Sequence, residues 1–289
     1  MELTPHMLAL ASALCNAVST ILIRLGLRGS NFYTGVWINV VVGVIGLWTA
    51  VFLVVPFDAF HARALPYFVL SGLVGTAGGR LFRFVCIEKV GASVSASINN
   101  LNPFIATGLA ILLLGERVTL PILAGTVVIV LGTVLLSLSG RLVGFNARHL
   151  AYPFLSASCF GVVAIIRKMG LAHAVPLLGS AINIATALIT FTIFLLVSGN
   201  RHAMVCNRRS LVYFIGAGAA ENGGVFLLLV ALGLGKVSVV TPLAGTAPLF
   251  VLPMTSFFLQ GIEKLSWRIV LGTLLIVLGV FLLTGYKSA

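Results

Sequence analysis

Ten apolar stretches, each close to the length of a bilayer-crossing helix, follow one another along the chain with little between them. They run over approximately Met7–Leu25, Tyr33–Val55, Pro66–Ile87, Ala92–Leu114, Leu120–Leu138, Leu150–Arg167, Val175–Val197, Leu211–Leu234, Val237–Gln260 and Arg268–Tyr286. Each span needs about 20 residues, so ten would take roughly 200 positions and leave too few for an added extramembrane domain. Only 8% of the 289 residues are charged and 60% are hydrophobic. Soluble domains carry about 25% charged residues, so a water-soluble globule and a disordered chain are both excluded. The expected fold class is an all-α integral membrane protein, multi-pass in the cell membrane, with the lipid bilayer as its surroundings.

The formal charge of +12 comes from 18 Lys and Arg against six acids. These cations stand singly or in pairs at the ends of apolar stretches, where they anchor helices at the headgroups. No basic stripe with interleaved aromatics is present, so nucleic acid is not an expected partner. Cys15, Cys86, Cys159 and Cys206 form no CxxC pair and have no His at metal spacing. Neither a disulfide, a metal nor a cofactor is expected. Met1-Glu2-Leu3 offers no basic n-region and no Ala-x-Ala cleavage site follows, so the first apolar run reads as a retained helix.

The chain also repeats itself. At an offset of 144, eight of 25 positions in 15–39 are identical in 159–183, among them Cys15/Cys159, Gly26/Gly170, Gly35/Gly179 and Asn39/Asn183. The offset later becomes 147, where Lys89-Val90 matches Lys236-Val237, Glu116 matches Glu263, and Gly125-Thr126…Leu131-Gly132 matches Gly272-Thr273…Leu278-Gly279. Two units follow, 1–140 and 146–289, with five spans each. Because five is odd, the second unit runs inverted. An inverted five-plus-five repeat is an alternating-access architecture, with its site near the midplane between the units.

The same residues carry a family likeness. Pro103-Phe104…Leu114-Gly115-Glu116-Arg117-Val118-Thr119…Gly125…Leu131-Gly132 resembles the end of an EamA domain. Thr241-Pro242…Pro248-Leu249-Phe250…Glu263-Lys264-Leu265…Gly272…Leu278-Gly279 resembles its partner, with Gln260-Gly261-Ile262 departing from the usual Leu-Gly ahead of Glu263. The chain thus resembles the drug/metabolite transporter superfamily over essentially its whole length. The resemblance implies ten helices, a central cavity lined largely by the third, fourth, eighth and ninth, and both termini in the cytoplasm.

Charged side chains near a span centre are costly and by default face a bundle interior or water. Arg80 and Glu221 qualify, in the equivalent third and eighth spans, and could approach one another across the interface between the units. The planar fork of Arg80 suits a carboxylate or phosphate. Glu221 has two readings: a proton carrier or counter-charge for a cation, or the permanent counterion of Arg80. Asn222 adds donors and acceptors beside it. Thr76 shares a helical face with Arg80 and Arg83, and Arg83 is expected to snorkel toward the interface. Ser95, Asn99 and Asn102 fall on one face of the fourth span, with Ser93, Ser97 and Asn100 on the adjacent one. Thr241 belongs to the matching polar stretch of the ninth, which Pro242, Pro248 and Pro253 interrupt. The candidate substrate-binding set is therefore Arg80, Glu221, Asn99, Asn102, Asn100, Asn222, Thr76 and Thr241. Asn16, Asn39 and Asn183 read as helix-packing residues, Trp37 as interfacial, and Glu116 and Glu263 as caps or partners of Arg117 and Lys264.

A secondary transporter of a small polar metabolite, exporting or exchanging it, fits these features. No Walker motif is present, so a proton gradient or a counter-substrate would supply the energy. An enzyme is disfavoured by the lack of paired carboxylates and of HExxH or GxSxG motifs. A fixed channel is disfavoured by the proline-rich midplane stretches. The arginines favour an amino acid or organic anion, a free Glu221 would favour a cationic metabolite or drug, and a sugar nucleotide would require more paired basic residues. The glycine ridges Gly125/Gly132 and Gly272/Gly279 suit packing within the bundle or against a second copy in a homodimer.

Leaving out Arg80 and Arg83, six cations, Arg167 among them, fall on the side of the termini and ten on the other. The charge rule therefore places the termini outside, opposite to the family likeness. A reporter fused to the C-terminus distinguishes these orientations. Cytoplasmic-type activity is the expected result, and periplasmic-type activity contradicts the orientation carried over from the family.

Overall fold

The computed structural model describes residues 4–56, 62–89, 95, 99, 101–137, 151–198, 205–258 and 267–284. Its helices are α1 (Pro5–Gly26), α2 (Phe32–Val54), α3 (Ala62–Lys89), α4 (Asn102–Leu114), α5 (Leu120–Ser137), α6 (Ala151–Gly170), α7 (Pro176–Val197), α8 (Arg208–Leu234), α9 (Val237–Ala244), α10 (Ala247–Phe258) and α11 (Trp267–Thr284). Six of them, α1, α2, α3, α6, α7 and α8, are long and apolar enough to cross a membrane. The molecule is thus an all-helical integral membrane protein. Ser93, Ser97 and Asn100 of the polar stretch before α4 lie outside the described residues, as do Glu263 and Lys264.

Local chemistry sets the helix starts. Thr4 caps α1 with Pro5 at its first position, Asn31 caps α2 by accepting from the Thr34 amide at 3.0 Å, and Asn207 caps α8 by accepting from Ser210 N at 2.7 Å. The last cap begins α8 at Arg208, one turn ahead of the expected Leu211. Gly115, at φ +63°, ends α4 in the left-handed conformation that glycine adopts without strain. The ninth span is two helices. α9 stops at Ala244 and α10 begins at Ala247, next to Pro248, a residue with no amide hydrogen to continue a helix through the break.

One feature of α3 has no counterpart in the sequence expectation. Gly72–Gly79 is a π-helix, sandwiched between α-helical turns. Four of its eight residues are glycine. The bareness of this stretch brings neighbouring helices close: a Cβ on Gly72 would lie 2.4 Å from the Asn183 carbonyl oxygen of α7, and one on Gly75 2.9 Å from Val163 of α6. The wider turn delivers Arg80 at the start of the α-helix that follows.

Packing follows the sequence repeat. α1 packs on α8 and α6 on α3; α1 meets α9 and α10 while α6 meets α4; α2 packs on α7 and α5 on α11. Each pairing is therefore matched by its exchange-related partner. The repeated glycines explain the first two pairs. Gly26 and Gly35 seat the ring of Phe214 from α8, and Gly170 and Gly179 seat the ring of Phe68 from α3. Both rings are fully buried. Basic residues one turn away are exchanged likewise: Arg24 donates to Ile87 O at the end of α3 (3.3 Å), and Lys168 donates to Leu232 O (2.6 Å) and Gly235 O (2.9 Å) at the end of α8.

The glycine ridges of α5 and α11 face each other within the molecule. A Cβ on Gly132 would stand 2.7 Å from Gly272 O, and one on Gly279 2.8 Å from Gly125 O, so the two backbones touch. Glu116, at the end of α4, joins the units in a different way. Its Oε1 accepts from Val237 N (2.8 Å) and its Oε2 from Ser238 N (3.1 Å) and Ser238 Oγ (2.6 Å), capping α9 of the second unit.

In Gly179→Ala the new methyl would lie 2.4 Å from the Phe68 ring, a contact no relaxed structure keeps. Thermal unfolding in detergent is expected to show a loss of about 1–3 kcal/mol. Gly46→Ala, with nothing within 4 Å of its added Cβ, is the control and should leave the midpoint in place. Equal midpoints for both variants would contradict the ring-seating account.

Candidate functional site

The midplane charges form one buried cluster. Glu221 of α8 accepts from Arg83 Nη1 at 2.6 Å and lies 3.4 Å from Arg80 Nε through the same Oε1. Its Oε2 accepts from Asn39 Nδ2 (2.9 Å) and Ser19 Oγ (3.2 Å). Arg80 also donates through Nη1 to Asn39 Oδ1 (2.6 Å) and through Nη2 to Asn222 Oδ1 (2.9 Å). Asn222 in turn donates to the carbonyls of Asn39 (3.0 Å) and Gly218 (2.7 Å). One carboxylate thus faces two guanidiniums, and every member is held by a hydrogen bond from another helix. Such saturation is what makes a buried ion cluster tolerable.

Arg83 corrects the expectation that it would snorkel outward. It is 8% exposed, turned into the bundle, and donates to Thr20 Oγ1 at 2.6 Å as well as to Glu221. A strong acceptor on the facing helix offsets the cost of burial that would otherwise drive the side chain to the interface. Glu221 and Arg80 do meet across the units, and Glu221 is engaged by both arginines.

A second polar cluster surrounds Arg167 of α6, which the sequence placed at a helix end among the terminal-side cations. Arg167 is 4% exposed. Its Nε donates to Ser71 Oγ (2.9 Å) and its Nη2 lies 3.4 Å from Thr76 Oγ1. Thr76 and Ser71 are tied to each other through the amide of Asn183, which accepts from the threonine and donates to the serine. Among the described residues no carboxylate reaches Arg167. At the offset of 144 its counterpart in the first unit is Ile23, so the repeat itself gave no warning of a functional cation there. The available signal was helical spacing: Arg167 follows Phe160 and Ala164 by seven and three residues, on one inward face.

These clusters border a common cavity of about 150 Å³. Thr76, Arg80, Asn99, Asn102, Glu221 and Thr241 of the candidate set line it. Asn222 is not among the lining residues and acts on the cavity by holding Arg80. Asn100 lies outside the described residues. Sequence reasoning missed Arg83 and Arg167 as lining residues, and assigned Asn16 to packing although it also borders the space. Three guanidiniums and one carboxylate leave an excess of positive charge around the cavity. Asn99 Oδ1 is buried and has no hydrogen-bond partner among the described residues. Among the described residues no three His, Cys, Asp or Glu side chains group as a metal site.

A multi-pass helical membrane protein whose two sequence-related units both contribute buried charged and polar side chains to one cavity is the class these features define. The chain belongs to the EamA-like transporter family, which it matches twice, over residues 3–138 and 149–285. Uncharacterized protein MJ1333.1 of Methanocaldococcus jannaschii is 28% identical over 103 residues, 35% of this chain and 74% of that protein. A crystal structure of another protein superposes with a TM-score of 0.78 at 16% identity, covering 97% of this chain and 96% of the other, which shows a shared fold.

Asn39 and Asn183 are sequence equivalents with unequal surroundings. Asn39 bonds two charged groups, whereas Asn183 bonds neutral hydroxyls. Asn39→Ala is expected to cost about 1.5–3 kcal/mol of unfolding free energy and Asn183→Ala about 1 kcal/mol. Thermal unfolding of the two purified variants checks the order, and a reversed order would contradict the charge assignment.

Proposed function

We propose that the protein is a secondary transporter of a small polar metabolite carrying a carboxylate, an amino acid or organic anion. It would work by alternating access between two inverted five-span units, as an exporter or exchanger in the cell membrane. The observation that carries this reading is the charge excess of the cavity: three buried guanidiniums against one carboxylate that is already shared by two of them. A cationic substrate would have to enter against that excess. The reading in which Glu221 serves a cation or a proton is weakened by the same contacts, because both its oxygens are engaged.

Three features support a moving carrier. The helix pairings are matched by exchange-related ones, as two arrangements of the same units require. The ninth span is discontinuous beside the cavity, at Gly245 and Thr246. The π-helical stretch of α3 borders the cavity through Thr76, where such irregular turns often mark function. Within this reading Arg80, Glu221 and Asn222 shape the site, while Thr76, Asn99, Asn102 and Thr241 face the ligand, with Asn100 adjacent in sequence.

Counterflow in proteoliposomes, with a panel of labelled amino acids, small organic anions and organic cations, tests the proposal. Saturable exchange of an anion or amino acid is the expected outcome, with Glu221→Gln and Arg80→Ala each reducing it at least tenfold. Exchange confined to cations, or wild-type rates in both variants, would contradict it.

A further inference from the structure

Packing sorts the described helices into two bodies that each mix both sequence units. α1 carries α8, α9 and α10, and α6 carries α3 and α4, while the α2–α7 and α5–α11 contacts join them. The α8–α9 junction belongs to the first body and is gripped at two points by the second. Glu116, just past the end of α4, sets its carboxylate on the Val237 and Ser238 amides and the Ser238 hydroxyl, at the positive end of α9. Lys168 of α6 sets its ammonium on the Leu232 and Gly235 carbonyls, at the negative end of α8. Pro5 and Leu283 border the same pocket as these two side chains, so the grip lies on the side of the termini.

The cavity is displaced away from that grip. On α3 its lining runs from Thr76 to Ile87, within one turn of the helix end at Lys89. On α1 it comprises Asn16 and Thr20 and nothing from the first turns. Toward the termini the cavity gives way to an apolar layer in which Leu8, Ala110, Leu232, Val237 and Val240 are buried. Among the described residues the other side carries a lighter grip. Arg24, the repeat mate of Lys168, donates at 3.3 Å to the carbonyl of Ile87, itself a cavity-lining residue.

We propose that Glu116 and Lys168 are the two arms of an interlock on the α8–α9 junction that holds the cavity shut on the side of the termini. Arg24 on the end of α3 is its counterpart, holding the other side in the alternate arrangement. This rests on the transporter reading above and names the contacts that set which side is closed. Glu116 and Lys168 are half-buried, so water can take over their hydrogen bonds on release. The sealed cluster of Arg80, Arg83 and Glu221 has no such exchange open to it.

Sided thiol labelling tests the interlock without a substrate. The full chain carries Thr241→Cys as a cavity reporter, with its four native cysteines replaced by alanine. An anionic, membrane-impermeant methanethiosulfonate reagent, suited to the positive cavity, is added to cells or to inverted membrane vesicles, and the C-terminal fusion states which side holds the termini. The parent is expected to label faster from the side opposite the termini. Glu116→Ala and Lys168→Ala should each raise labelling from the side of the termini about tenfold and lower it from the other. That is the shift which losing a charge-assisted hydrogen bond gives a two-state equilibrium. Arg24→Ala, which loosens the opposite grip, should leave labelling from the side of the termini at or below the parent rate.

Thermal unfolding of each variant separates gating from simple capping. If Glu116→Ala and Lys168→Ala lower the midpoint but leave both labelling rates as in the parent, the two residues only cap helices and the interlock is overturned. A rise from both sides together, which signals general loosening, overturns it as well. So does a parent that labels faster from the side of the termini, or equally from both. If Glu116→Ala yields no folded protein, Ser238→Ala and Lys168→Gln are read in its place by the same criterion. Labelling that changes sides as expected while counterflow stays silent supports the interlock and counts against the substrate class proposed above. Counterflow in wild type with labelling that no variant redirects overturns the interlock and leaves the transporter reading standing.

Discussion

Glu221 is the carboxylate on which the interior depends. Placed between Arg80 and Arg83, it makes it possible for two guanidiniums to remain in a low-dielectric bundle. The same contacts stitch α1, α2, α3 and α8 together through Ser19, Thr20, Asn39 and Asn222. A buried ion cluster is seldom a source of net stability, since apolar side chains of similar volume often serve as well. What it supplies is placement: it fixes the end of a cavity, sets its sign, and ties helices of both sequence units to one another. Removing the carboxylate would leave two guanidiniums without compensation, which is far costlier than removing all three groups together.

The scaffold and the site obey different symmetries. Repeated residues carry packing: Gly26, Gly35 and their mates Gly170, Gly179 each receive a phenylalanine from the opposite unit, and the α5 and α11 glycines meet backbone to backbone. The buried charges are where the repeat fails. Arg80, Arg83 and Glu221 have no charged counterpart in the other unit at any offset from 144 to 147, and Arg167 replaces Ile23. A two-fold scaffold can interchange two arrangements, while an asymmetric cavity can prefer one ligand orientation. Both properties suit a carrier.

Much of this was open to reading in the sequence. The apolar runs anticipated the helices that the structure describes, the matched glycines signalled the repeat, and rare midplane charges pointed to Arg80 and Glu221. The proline pattern anticipated the break in the ninth span, though not its place at Gly245 and Thr246. The rest depended on three-dimensional partners. Arg83 reads as a snorkelling residue until Thr20 and Glu221 are seen to face it. Arg167 reads as a helix-end cation until Ser71 and Thr76 are seen to surround it. Glu116 has its cap target 121 residues away, and no local pattern links them. The π-helical turn was hinted at only by four closely spaced glycines, which equally suit close packing of a regular helix.

The most direct test of the account is a double-mutant cycle between Arg83 and Glu221, using Arg83→Met, Glu221→Gln and the double variant, read by reversible unfolding in mixed micelles. If the shared carboxylate organises the interior, the pair couples by about 1.5–3 kcal/mol, and the double variant is more stable than the sum of the single losses implies. A coupling near zero, with the single losses simply adding, would show that Glu221 does not hold the arginines in place and would contradict the account.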